Sequence, residues 1–202
     1  SATGVVTGVS AGTSVINYTV AGTGGCSDAI ATRDVTVYSP TVSLSGTTSI
    51  LENSGGIVNI TATLSTATIS TTTITLAYSG TATNGVDYTA SSTTITIAAG
   101  ATTGTVTITP IDDTLNEGSE TVIADITNVT GGCASEFGVQ TATVTITDND
   151  GAPTVTGIAP SSATEGSAVV FDFTLSNPSS VATSYTFTLT NGTAGSSDYT
   201  TT

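Results

Sequence analysis

The sequence predicts an all-β protein, built of antiparallel β-sandwich modules strung in tandem like beads. Three observations predict it. Apolar and hydroxyl-bearing residues alternate with a period of two along most of the chain, and no window places apolar residues at helical spacing. Clusters of Gly, Asn, Asp and Ser interrupt these runs about every 8–12 residues, the rhythm of a sandwich. A pair of motifs in the middle of the chain recurs near its end, which is the mark of repeated modules.

The elements follow in order. Gly12-Thr13-Ser14-Val15-Ile16-Asn17-Tyr18-Thr19-Val20 alternates and reads as a strand, as does the segment 34–38 before the Ser39-Pro40 boundary. Within 41–150 the same pattern gives strands through Ile74 and Leu76, Ile95 and Ile97, Val106 and Ile108, Val122 with Ala124 and Ile126, and Val144 and Ile146. β-Branched residues suit a pleated surface on both faces, and Thr serves the wet one. Turn-rich stretches at 52–56, 80–85, 99–100, 112–118 and 131–132 separate the runs. Gly151-Ala152-Pro153 opens a third segment, in which Glu165-Gly166-Ser167 repeats Glu52-Asn53-Ser54-Gly55. Gly192-Thr193-Ala194 with Asp198-Tyr199 likewise repeats Gly80-Thr81-Ala82 with Asp87-Tyr88. Three units are therefore expected: a partial module over 1–38, a complete sandwich over 41–150, and the first half of a second such sandwich over 153–202. Both chain ends fall in mid-pattern, so the chain reads as an excerpt of a longer protein.

Composition excludes several function classes. Fifteen acids face a single cation, Arg33, for a formal charge of −14. Phosphate backbones and anionic bilayers need a basic patch, so nucleic acid and anionic membrane surfaces are not expected partners. No apolar run is long enough for a membrane-spanning helix. There is no His for general base work and no Lys, and no Gly-x-Ser-x-Gly elbow. Trp, the usual platform for a sugar ring, is also absent, so the paired carboxylates do not read as a glycosidase and no enzyme is expected. Without His and with only Cys26 and Cys133, a zinc or other transition-metal site is not expected. Their spacing leaves open whether the two thiols bridge.

The acids are gathered rather than scattered. Glu52, Asp87, the run Asp112, Asp113, Glu117 and Glu120, and the closing pair Asp148 and Asp150 fall in four short clusters. Turns at one pole of a sandwich come from distant parts of the sequence, so these four segments are candidates to converge. Two bare carboxylates 4 Å apart repel by about 4 kcal/mol at an effective dielectric near 20. Convergence then calls for protonation or a bound cation. Oxygen ligands alone, on flexible turns, favour Ca²⁺ over Mg²⁺.

The unit 41–150 resembles a Calx-beta domain, the Ig-like calcium-binding module of sodium–calcium exchangers, integrin β4 and many bacterial surface proteins. Four ordered motifs carry the resemblance: Leu51-Glu52-Asn53-Ser54-Gly55, the Gly-Thr-Ala turn ending at Asp87-Tyr88, Ile111-Asp112-Asp113 with Glu117 and Glu120, and Val144-Thr145-Ile146-Thr147-Asp148-Asn149-Asp150. The resemblance implies Ca²⁺ as cofactor, held by Glu52, Asp87, Asp112, Asp113, Glu117, Glu120, Asp148 and Asp150. Glu165 and Asp198 take the first two of these positions in the partial copy. Asn149 is neutral where fully loaded members of the family carry a third consecutive acid, and Thr114 is neutral where some members are acidic, which implies one to three ions rather than four. Residues 1–38, with Ser10-Ala11-Gly12-Thr13 before the Ile-Asn-Tyr-Thr-Val strand, resemble the later half of a bacterial Ig-like repeat.

Together these resemblances imply a non-catalytic, calcium-stabilised repeat region of a large, secreted bacterial surface adhesin or filament stalk, of which Bacteroidetes gliding-motility adhesins are a narrower case. Neighbouring modules of the same chain are the expected partners, with surface glycans or host and substratum surfaces as further ones. Calcium near Asp150 is expected to stiffen the passage through 151–153. The competing reading is an accessory carbohydrate-binding or spacer region of a secreted hydrolase or protease.

Overall fold

The computed structural model describes residues 5–8, 10–46, 48–159 and 161–200. The outermost residues at either end, 1–4 and 201–202, lie outside these, and with them the terminal parts of the expected outer units. The chain forms two compact units, one of Ser1–Asp112 with Ser119–Thr147, the other of Asp113–Gly118 with Asp148–Thr202.

The first unit begins with a hairpin of β1 (Gly12–Val20) and β2 (Ala29–Val37), antiparallel with Ile16 opposite Arg33. The sandwich follows. Strands β3 (Thr41–Ser45), β4 (Thr48–Leu51), β5 (Val58–Leu64), β6 (Thr72–Gly80), β7 (Tyr88–Ala90), β8 (Thr94–Ile97), β9 (Thr103–Pro110), β10 (Glu120–Thr130), β11 (Ser135–Glu136) and β12 (Thr141–Thr147) make two five-stranded sheets. One runs β4-β12-β10-β6-β8 and the other β11-β3-β5-β9-β7. Most neighbours are antiparallel, while β4 lies parallel to β12 and β11 parallel to β3.

The strands read from alternation bury their apolar positions in one core, and β5, which that reading did not single out, adds to it. Ile60 and Ala62 of β5, Ile74 and Leu76 of β6, Ile95 and Ile97 of β8, Val106 and Ile108 of β9, Val122, Ala124 and Ile126 of β10, and Val144 and Ile146 of β12 are all buried in one cluster. Each fully buried Val or Ile side chain contributes roughly 1.5–3 kcal/mol. The chain leaves one sheet after β3 and enters the other at β4, and Gly46 stands at that crossing with φ 133°. A Cβ there would sit 2.7 Å from the Asn59 carbonyl oxygen, so only glycine fits.

Strand β10 holds a bulge. Its register against β6 shifts between Ile126 and Asn128, leaving Thr127 unpaired in the ladder. Thr127 donates its hydroxyl to the Thr75 carbonyl at 3.2 Å instead. The bulge re-phases the strand, so that Val129 rather than residue 128 turns toward the core.

The second unit carries less regular structure. β13 (Val155–Ile158) and β14 (Phe173–Leu175) pair antiparallel with their own irregularity. Tyr185, Phe187 and Leu189 alternate as a strand would, yet 183–190 forms none and all three side chains are exposed. Alternation makes a strand only when a partner supplies the ladder and covers the apolar face. Phe173 and Phe187 do meet, with ring centroids 6.0 Å apart. No described helix is long and apolar enough to cross a membrane.

Candidate metal centre

Each candidate ligand stands at a strand end or in a turn, for local reasons. In the first unit, β4 runs parallel to β12 with Leu51 opposite Thr147. Glu52 follows directly, in a 3₁₀ turn over Glu52–Ser54 that Gly55 ends in the left-handed conformation. Its side chain is only 7 % exposed. A buried carboxylate is costly to ionise without charge or hydrogen-bond compensation, and this is a common environment for a metal ligand. Asp87 lies in the turn that enters β7. Its Oδ2 accepts the Thr83 amide at 2.6 Å, and its own amide donates to the Thr83 carbonyl at 3.0 Å. The Ile111 amide donates to the Asp87 carbonyl at 3.0 Å. That bond brings the Asp87 turn alongside the exit of β9, where the exposed Asp112 follows. Glu120 opens β10, opposite Ile146.

Beside Asp87 two phenols pack edge to face, Tyr78 and Tyr88, with centroids 6.5 Å apart. Tyr78 donates to the Ser92 carbonyl at 2.8 Å. Burial raises the pKa of Tyr78, with a further rise from Tyr88. Burial also raises that of Tyr88, with the Asp87 charge adding to it.

In the second unit, Asp113 caps its own turn, with Oδ1 accepting the Leu115 amide at 2.6 Å. Glu117 donates its amide to Asp148 Oδ2 at 2.7 Å, and Asp150 donates its amide to Asp148 Oδ1 at 2.8 Å. Asp148 is thus oriented through both of its oxygens, and the loop with Asp113 and Glu117 is drawn to the segment with Asp148 and Asp150. Asn149, between them, is exposed. Glu165 sits in an exposed turn closed by the Ser167 amide on the Thr164 carbonyl. Asp198 caps the turn at Gly195, accepting its amide at 2.8 Å.

Six of the eight candidate ligands, Glu52, Asp87, Glu117, Glu120, Asp148 and Asp150, belong to acidic clusters of three that could hold a metal ion. Among the described residues Asp112, Asp113, Glu165 and Asp198 belong to no such cluster. The donor set is entirely oxygen, as a hard divalent cation requires. Cys26 and Cys133 are exposed and free, so sulfur takes no part. The motif reading passed over Asn116, between Asp113 and Glu117. Its Nδ2 donates to the Asp150 carbonyl at 2.7 Å and to Asp148 Oδ2 at 3.4 Å. An amide inside a run of acids is the signal that could have found it, since it offers two protons to neighbouring carboxylates and still accepts through its oxygen.

The Calx-beta domain family matches residues 39–150. No curated protein matches the chain. Similar solved structures include CBD12 from CALX1.2, 20 % identical with a TM-score of 0.48 over 55 % of this chain and 46 % of that one. The apo form of the Calx CBD1 domain is 20 % identical with a TM-score of 0.46, over 56 % of this chain and 100 % of that one. A protein of carbohydrate-binding type from Bacteroides ovatus is 14 % identical with a TM-score of 0.40, over 53 % and 36 %. The chain therefore spans about half the length of the first of these, at 46 %. The family match covers more than half of the chain and all four acidic motifs, so the chain belongs to the Calx-beta family of non-catalytic, calcium-binding domains.

Proposed function

We propose that the chain is a calcium-stabilised, non-catalytic repeat segment of a large secreted surface adhesin or stalk. Ca²⁺ is the proposed cofactor. The observation that carries the calcium reading is the oxygen-only set of clustered carboxylates in a Calx-beta domain. Bound Ca²⁺ would supply positive charge at these turns, with Glu52, Asp87, Glu117, Glu120, Asp148 and Asp150 as its principal holders and Asp112 and Asp113 as flanking acids. Glu52 would bring a carboxylate preset by the 3₁₀ turn. Asp148 would bring one already oriented by two backbone amides.

The adhesin reading is supported by the repeated motifs at Glu165 and Asp198 and by the lack of His and Lys for catalysis. The proposed place of work is the extracellular cell surface. Its partners there are neighbouring modules and, beyond them, surface glycans or a substratum.

Extracellular calcium modules bind with Kd of roughly 10⁻⁴ to 10⁻³ M. Calcium at ten to a hundred times Kd adds about 1.4–2.7 kcal/mol per independent site. Thermal melts in EDTA and in saturating calcium test the reading. A rise of several degrees in Tm with calcium, absent with magnesium at the same concentration, is expected. Identical midpoints would sink the calcium claim.

A further inference from the structure

The connections of Asn116 run in two directions. Toward the acids, its two Nδ2 protons serve the Asp150 carbonyl at 2.7 Å and Asp148 Oδ2 at 3.4 Å. Toward the turn at 177–181, its amide donates to the Pro178 carbonyl at 3.1 Å and its carbonyl accepts the Ser180 amide at 3.0 Å. Residues 116 and 179 form a parallel bridge there. The Ser179 hydroxyl lies 3.0 Å from Asn116 Oδ1 and 3.2 Å from its carbonyl oxygen. The far side of that turn is tied as well. Asn177 Nδ2 donates to the Gly151 carbonyl at 3.0 Å, Ser176 Oγ accepts the Thr154 amide at 2.9 Å, and Tyr185 donates its hydroxyl to the Pro153 carbonyl.

We infer that Asn116 is a metal-independent latch: a positioning residue that docks the turn at 177–181 onto the loop Asp113–Gly118 without a cation. The reason is chemical. A carboxylate at this position could only accept, and would face Asp148 Oδ2 and the Asp150 carbonyl, two further acceptors. Holding it there would require a bound cation. The neutral amide offers two protons to those acceptors and keeps an oxygen for Ser179. Hydrogen bonds to a charged acceptor are among the stronger ones. The inference concerns the loop 113–118 and the segment 148–181, and it does not rest on calcium binding.

Amide hydrogen exchange on the full chain, in EDTA and in calcium, tests it. In EDTA the Asn116 and Ser180 amides of the wild type are expected to exchange about tenfold slower than the corresponding amides in Asn116→Ala. The isosteric Asn116→Asp is expected to lose the same protection in EDTA, because it removes the donor and keeps the shape. The Ile60 and Val106 amides in the β5–β9 ladder report whether each variant is folded. If Asn116→Ala does not fold, Ser179→Ala in the turn at 177–181 serves in its place, with the same loss expected at Ser180. Protection of Ser180 that arises only with calcium would overturn the inference, as would protection in EDTA that survives Asn116→Asp. A failed calcium melt leaves this result intact, so the two readings fail separately.

Discussion

Glu52 is the most buried of the candidate ligands, and a nearly buried carboxylate is stable as an anion only when positive charge or donors compensate it. Glu52→Gln keeps the shape and removes the charge. Calcium affinity, measured by titration calorimetry, is expected to fall about tenfold or more, since hydrogen bonds and ligation to charged groups are worth roughly 1.5–3 kcal/mol. An unchanged affinity would remove Glu52 from the ligand set. Tyr78 and Tyr88 make a second prediction at this scale. Burial disfavours their phenolate forms, so the folded protein holds these protons to higher pH than the unfolded chain does. Their contribution to stability is fully present below the ordinary value of 10.0 and is lost as pH rises through the raised folded-state values. Urea midpoints followed from pH 9 upward are expected to fall, and to fall less in Tyr78→Phe. That variant is expected to cost about 1 kcal/mol at neutral pH, through the lost bond to Ser92. The identities of these acids and phenols were legible in the sequence. Their burial was not, because it depends on which distant strand lies beside them.

Strands were read well where apolar positions strictly alternate. Ile74 and Leu76 in β6 and Val144 and Ile146 in β12 face inward as their spacing requires. The reading was weaker where a strand departs from a period of two. Through Ile126-Thr127-Asn128-Val129, the inward positions are three residues apart, and the bulge at Thr127 accounts for it. Deleting Thr127 would restore the ladder and turn Val129 outward. The deletion is expected to destabilise the sandwich by about 1–3 kcal/mol, by lost burial and a displaced turn after β10, measured as a lower urea midpoint. A midpoint equal to the wild type would show that the bulge is dispensable. In the segment 183–190, the alternation of Tyr185, Phe187 and Leu189 produced no strand. Side-chain pattern specifies which face a strand would bury, but backbone hydrogen bonds to a neighbour make the strand. The corresponding β6 has β8 and β10 beside it.

For the molecule as a whole, the charge of −14 is the property that calcium would change most. Each bound ion adds two positive charges, so elution from an anion-exchange column is expected at lower salt in calcium than in EDTA. An elution position that calcium does not move would count against binding. Fold class and family could be read from the chain without coordinates, because alternation, turn spacing and four ordered acidic motifs are all local in sequence. So could the excess of acids over cations and the absence of His and Lys. Other features needed the folded chain. The parallel placement of β4 beside β12 sets Glu52 at the end of that strand pair. Burial separates Glu52 from the exposed Asp112 and Asp113, although all three belong to the same motif set. Asn116 emerges as a hub only when residues 116, 148, 150 and 179 are brought within hydrogen-bonding distance. The division has one physical cause: propensity and pattern act over a few residues, whereas register, burial and ligand geometry arise from contacts between residues far apart in the chain.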